Sequence, residues 1–239
     1  MRHSEEPSCH IEIEAEGDRC LTLRLGSSLD VETSRRCLAM AAEIEKAGLP
    51  GVLDVIAAFT TVAVHYEPAK FGATPYRTLS ELIREAIKSV TGNRPAATRI
   101  VKVPVCYEPE YGFDLDAVAQ TCGLTPREVV ELHTSDNVSV ITLGFAPGHP
   151  YIGVHSEKLA IARRATPRGA VPGGSVAIAN RQTVIYPDTT PGGWHVIGAM
   201  PFALFNPEKS PHTFLLPGDK VQFAPISAAE FKKLQRTAS

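Results

Sequence analysis

The sequence predicts an α+β protein in two parts, a ferredoxin-like α/β sandwich followed by a small β-barrel or sandwich, and three observations predict it. Strand and helix signals alternate through the first part. Glycine- and proline-punctuated short apolar runs fill the second, from about Gly144 to Ser227. Between them lies a short helical insert. The 239 residues suit two ordinary domains, and a hydrophobic content of 44% is ample for two cores.

The first part opens with period-2 apolar positions, Ile11, Ile13 and Ala15, then Leu21, Leu23 and Leu25, across a Gly17-Asp18 turn, which predicts a hairpin. Asp30 is placed to cap a helix of about 17 residues carrying Val31, Leu38, Ala41, Ala42 and Ile44, with Gly48 suited to the left-handed position beyond its end. Two β-rich runs follow, Gly51 to Ala58 and Thr61 to Tyr66. Thr74-Pro75 then starts a second helix, whose stripe is Leu79, Leu82, Ile83, Ala86, Ile87 and Val90 before Gly92. With a strand at Arg99 to Val105 the order is β-β-α-β-β-α-β, which contains the split β-α-β of a ferredoxin-like sandwich.

In the insert, Asp114 opens one short helix, and Thr125-Pro126-Arg127-Glu128 forms a capping box for another through Val129, Val130 and Leu132. The turns G-F-A-P-G-H-P, A-T-P-R-G-A-V-P-G-G, T-T-P-G-G-W and L-P-G-D then separate strands such as Val138 to Leu143, Ser175 to Ala179 and Thr183 to Tyr186.

A net charge of -2 leaves no basic field for a phosphate backbone, so nucleic acid is not an expected partner. No leader-like apolar segment opens the chain, and no run approaches the roughly 18 apolar residues of a membrane span, so a cytoplasmic protein without a membrane partner is expected. Cys9, Cys20, Cys37, Cys106 and Cys122 form no C-x-x-C pair and read as reduced thiols.

P-loop, H-E-x-x-H, G-x-S-x-G and Rossmann signatures are all missing from the sequence. What remains is a concentration of polar and aromatic groups beside turns: His149, Tyr151, Arg163, Arg164, Thr166, Arg168, Ser175, Gln182, Thr183, Tyr186 and Trp194. Turns of this kind hold side chains at the mouth of a barrel, where small ligands bind. A fixed His149, between Gly148 and Pro150, is suited to proton transfer or to donation to a carbonyl; a turn-packing imidazole is the plainer reading. The three arginines match a carboxylate or phosphate in bidentate geometry, Arg168 best for its Pro167 and Gly169 neighbours, against the commoner solvated role. Trp194 reads as a pocket wall or a core anchor. Strand alternation puts Gln182 and Tyr186 on one face and Thr183 on the other. His149 and His155 have no carboxylate or cysteine at a ligand spacing, and His65 and His133 read as structural, so no metal site is expected.

The run GFAPGHPYIG, then RRATPRGAVPGGSVAIANRQTVIYPDTTPGGWHVIG and LLPGDKVQFAPIS, resembles the allophanate hydrolase subunit 1 family, which includes the B subunit of bacterial 5-oxoprolinase and the sporulation kinase inhibitor KipI. The likeness extends back through GDRCLTLRLG and PGVLDVIAAFTTVAVHYEP and covers most of the chain. It implies a ferredoxin-like domain at 8–95, a cyclophilin-like β-barrel with the helical insert at 96–230, and a tail at 231–239. It further implies a B-type subunit of an ATP-dependent 5-oxoprolinase, inactive alone, that opens 5-oxoproline to L-glutamate with a homologous barrel subunit and an A subunit. ATP, with or without magnesium, would sit in a site on this chain or shared with those partners. On this reading His149, Arg168 and Gln182 carry catalysis, and Tyr151, Arg164, Thr166, Tyr186 and Trp194 bind substrate. A KipI-like kinase inhibitor and a urea carboxylase or allophanate hydrolase accessory subunit are the alternatives the same likeness brings. Two departures from the family pattern bear on substrate: His149 stands where many relatives carry Phe, and Arg181 adds a charge to the ANRQT stretch.

Overall fold

The computed structural model describes residues 11–89 and 99–238. The chain divides into two compact units, Met1–Ala97 and Thr98–Ser239. Cys9, Val90 and Gly92, singled out above, lie outside the described residues.

In the first unit β1 (Glu12–Ala15) and β2 (Cys20–Arg24) form the expected hairpin, with Glu12 opposite Arg24. Helix α1 (Val31–Ala47) is capped by Asp30, whose carboxylate accepts from Thr33 N at 2.8 Å, and it ends at Gly48 with φ 57°. Strands β3 (Val52–Ala57) and β4 (Thr61–Tyr66) precede α2 (Pro75–Ala86). The sheet order is β1-β2-β4-β3, and β4 is antiparallel to both of its neighbours. Strands β2 and β3 therefore run parallel with β4 between them, which is the split β-α-β arrangement. The helix stripes are turned relative to the sequence reading. Ser34 Oγ donates to Asp30 O and Phe59 O, which points Ser34, Cys37, Ala41 and Ile44 at the sheet and leaves Val31 exposed; Leu82 of α2 is exposed as well.

The second unit contains β5 (Ile100–Cys106), α3 (Leu115–Cys122), α4 (Pro126–Ser135), β6 (Val138–Leu143), β7 (Pro150–Gly153), β8 (Arg168–Val171), β9 (Ser175–Ala179), β10 (Gln182–Ile185), β11 (Thr190–Gly192), β12 (His195–Ala199), β13 (Lys220–Ile226) and α5 (Ala228–Ala238). Seven strands close a barrel in the order β10-β7-β6-β13-β5-β12-β9, and β8 and β11 form a separate ribbon. The strand counted above as the last of the sandwich order is β5, and it belongs to the barrel. It pairs in parallel with β13 from Lys220↔Ile100 to Ile226↔Cys106, a long-range pairing that local periodicity does not reveal.

Apolar residues facing inward from the barrel, among them Val103, Val140, Ile152, Ile178, Ile185, Ile197 and Phe223, pack with Leu115, Val118 and Val129 of the helical insert. The Thr125–Glu128 capping box of α4 is formed, with Thr125 N donating to Glu128 Oε2 at 2.7 Å. Asp114 opens α3 without capping it, because its carboxylate is turned to other partners. The segment 231–239, expected as a tail, belongs up to Ala238 to α5, whose Phe231 ring lies 4.3 Å from Tyr111. No helix among the described residues is long and apolar enough to cross a membrane.

Candidate functional site

Of the expected pocket residues, His149, Tyr151, Tyr186 and Trp194, with Arg163 over the Trp194 ring, come together on the outer side of one barrel wall rather than at its mouth, and the others do not join them. Strand alternation sorts them. On β10, Thr183 and Ile185 face the interior, whereas Val184, followed by Tyr186, joins an outer cluster with Val171, Ala177, Ala179, Trp194 and Val196. Tyr151 of β7, paired with Val184, packs against this cluster.

Inside the barrel, Thr183 connects two histidines that sequence spacing did not associate. Its Oγ1 lies 2.9 Å from His133 Nε2 and 2.8 Å from His155 Nε2. His133 Nδ1 is 2.7 Å from the Tyr107 hydroxyl, and His155 Nδ1 is 3.0 Å from Asp136 Oδ2. With both imidazoles neutral, one arrangement satisfies every atom. Tyr107 donates to His133 Nδ1, His133 Nε2–H to Thr183, Thr183 to His155 Nε2, and His155 Nδ1–H to the acceptor-only carboxylate. Burial holds His133 well below the ordinary histidine range, with the neighbouring His155 adding to the effect. For Asp136, burial alone acts upward, but the bonds from His155 and the Ser156 backbone prevail and hold it below the usual carboxylate range. The chain of bonds ties α4 to β10 and to the segment after β7, and it leaves no imidazole nitrogen of the two histidines unpaired.

On the outer side, His149 is 3% exposed and its ring is boxed by Phe145 at 5.3 Å, Tyr151 at 5.1 Å and Tyr186 at 5.5 Å. Gly148, at φ 76°, makes the turn that precedes His149. Burial lowers His149 to about 4, so it is neutral near pH 7 and not a cationic acid there. Its Nδ1 has no hydrogen-bond partner among the described residues. Tyr186 reaches over Gly192, where a Cβ would come within 2.2 Å of its hydroxyl; this is the reason for the first glycine of P-G-G-W. Burial raises the Tyr186 phenol, opposed by a bond to the Trp194 backbone and by the Arg163 charge. Trp194 is both wall and anchor: it is 6% exposed, lies 6.1 Å from Tyr151, and carries the Arg163 guanidinium 5.3 Å above its ring.

The other two arginines are engaged elsewhere. Arg168 forms a fork with Asp114, at 2.8 and 2.6 Å, and stacks over Phe113 at 4.7 Å. Arg164 approaches the same carboxylate at 3.4 Å, and Val196 N donates to it at 2.8 Å. Asp114, 4% exposed, thus clamps the start of α3 to β8 and β12. Nothing in the sequence linked Asp114 to Arg168 across 54 positions. Gln182 sits half-buried at the edge of the outer wall opposite Gly153, Ser175 is buried at a strand start, and Thr166 is exposed on the loop before β8. A concavity of about 570 Å³ is lined by Arg99, Phe202, Phe205, Lys209, His212 and Phe214 among others, and none of the expected site residues lines it. Cys20, Cys37, Cys106 and Cys122 are free thiols.

A ferredoxin-like unit and a closed seven-stranded barrel with an aromatic, histidine-bearing outer wall define a protein of the carboxyltransferase-domain type. The model for the carboxyltransferase domain, subdomain C and D, matches residues 11–215, and the chain belongs to this family. It is 37% identical over 227 residues to the B subunit of 5-oxoprolinase from Bacillus subtilis, covering 92% of this chain and 95% of that protein. Among solved structures, TTHA0988 superposes with a TM-score of 0.76 at 33% identity, covering 88% of this chain; the chain spans 40% of that protein's length. The Kluyveromyces lactis urea amidolyase shares the fold, with a TM-score of 0.77 at 16% identity over 95% of this chain and 15% of its own.

Proposed function

We propose that this chain is the B-type subunit of an ATP-dependent 5-oxoprolinase, in which 5-oxoproline is opened to L-glutamate together with a homologous barrel subunit and an A subunit. The observation that carries the reading is the match to a 5-oxoprolinase B subunit along nearly the whole of both chains. The much greater length of TTHA0988 supports a fold that works beside further protein. The likeness to urea amidolyase is one of fold alone and carries no second reading.

A five-membered lactam is a resonance-stabilised amide, and its hydrolysis places the water oxygen on the new carboxylate and a proton on the freed amine. This chain's part is to hold the ring. Tyr151, Tyr186 and Trp194 supply apolar walls, and His149 supplies a neutral polar atom in a site shielded from water. The residues of this wall do not fit ATP. Arg164 and Arg168 are drawn to Asp114, which leaves one guanidinium on this wall, and among the described residues no glycine-rich phosphate loop precedes a helix. We therefore assign the nucleotide to a partner subunit, and infer that the chain alone is inactive. A nucleotide-dependent reaction and free thiols favour a cytoplasmic complex.

Co-expression with the neighbouring subunit genes, followed by assay of ATP-dependent glutamate release from 5-oxoproline, tests the reading. Turnover by the complex and none by the chain alone is expected. A correctly assembled, folded complex without turnover overturns it.

A further inference from the structure

Resting on the lactam-opening reading above, we propose that Arg163 and His149 divide substrate recognition on the outer barrel wall, Arg163 taking a carboxylate and His149 the edge of a neutral cyclic amide. The sequence favoured Arg168 for the anion, but the structure separates the three arginines by what already holds them. Arg168 and Arg164 share the Asp114 carboxylate. Arg163 has no carboxylate within ion-pair distance among the described residues, and its guanidinium is laid over the Trp194 ring. A guanidinium held over an aromatic ring keeps N–H donors at its rim, able to meet a carboxylate bidentately.

His149 makes the complementary half. Its Nδ1 is buried and unmet, a costly state for an imidazole nitrogen unless a ligand or water completes it. The edge of a lactam presents C=O and N–H side by side, so it can pair with either neutral tautomer, accepting from Nδ1–H or donating to a bare Nδ1. The two recognition groups flank one aromatic wall. His149 touches Tyr151 and Tyr186, Tyr151 reaches Trp194 beneath Arg163, and the Arg163 charge is felt at Tyr186. The ligand this arrangement selects is a small ring with one neutral amide and one carboxylate.

Trp194 is the chain's only tryptophan, so its fluorescence reports on ligand at Arg163 without a label. Titration of the full chain, alone and in the assembled complex, with 5-oxoproline is expected to give a saturable change in at least one of the two states. Arg163→Ala should weaken apparent affinity at least about tenfold, with Arg163→Lys intermediate. The neutral analogue 2-pyrrolidinone should bind the wild type more weakly and be indifferent to Arg163→Ala, whereas His149→Phe should weaken both ligands. In the complex, Arg163→Ala should raise KM and leave kcat within about threefold. Wild-type affinity for 5-oxoproline in a folded Arg163→Ala protein overturns the assignment, as does the lack of any saturable change in wild type in both states. A complex that binds 5-oxoproline through Arg163 yet releases no glutamate overturns the lactam-opening reading and leaves the recognition site standing. A complex that turns over with Arg163→Ala kinetics unaltered does the reverse.

Discussion

The two sides of strand β10 carry the same kinds of residue and treat them oppositely. Inward, Thr183 completes a run from Tyr107 to Asp136 in which every imidazole nitrogen is paired. Outward, one residue pair away, Tyr186 leads to His149 with an unmet nitrogen and to a stacked Arg163 with no ion pair among the described residues. Satisfied polar groups in a core hold elements in place; unsatisfied ones beside an aromatic wall are what a ligand would complete. The arginines repeat the contrast, since Arg168 is a clamp on Asp114, whereas Arg163, five positions earlier, has no ion pair among the described residues.

The comparison breaks first at the clamp. Arg168→Ala leaves the Asp114 carboxylate buried with only Val196 N and a distant Arg164 NH, and should destabilise the chain by about 3–4 kcal/mol. Urea unfolding measures this. A loss under about 1 kcal/mol would mean that Arg168 is not structural and would return it to the ligand site.

Acid acts on both sides at once. The folded-state pKa values of His133 and His149 lie below the unfolded value of about 6.5, so the unfolded chain takes up protons first as pH falls. Stability is thus fully present above about pH 6.5 and declines below it. With His149 lowered to about 4, its own share lost on reaching that pH is about 3 kcal/mol. His149→Phe should flatten the part of the stability profile between about pH 6.5 and 4, and an unchanged slope would show that His149 is not held neutral by burial.

Thr183→Val keeps the side-chain shape and strands two imidazole nitrogens, so a loss of about 2–3 kcal/mol is expected by thermal or urea unfolding. Kinetics of the assembled complex should change little, because this chain of bonds faces away from the outer wall. A large fall in kcat with intact stability would move the interior histidines into the mechanism.

Much of this frame was legible in the sequence, and the exceptions have a common cause. Asp30, Gly48 and the Thr125–Glu128 box act within a few residues, and each forms as expected. Period-2 alternation on β10 separated Gln182 and Tyr186 from Thr183, and glycine-rich turns located the region where the outer wall forms. What escaped is long-range. The parallel pairing of β5 with β13 spans the whole second unit, and the partners of His155 and Arg168, Asp136 and Asp114, are brought to them by barrel closure and by docking of the helical insert. Residue type therefore named the arginines, but only packing could say which two are held by Asp114.

The smallest expected effect tests the outer wall without touching its charges. Gly192→Ala forces a methyl group against the Tyr186 hydroxyl, and overpacking of this kind costs about 1–2 kcal/mol. Tyr186→Phe removes that oxygen at the cost of its bond to the Trp194 backbone. If the clash is local, the double variant should be more stable than the sum of the single changes predicts by about 1 kcal/mol, and the coupling is read from a double-mutant cycle in urea. Additive losses would mean that Gly192 is required for the ribbon's own backbone geometry rather than for the room it leaves the Tyr186 hydroxyl.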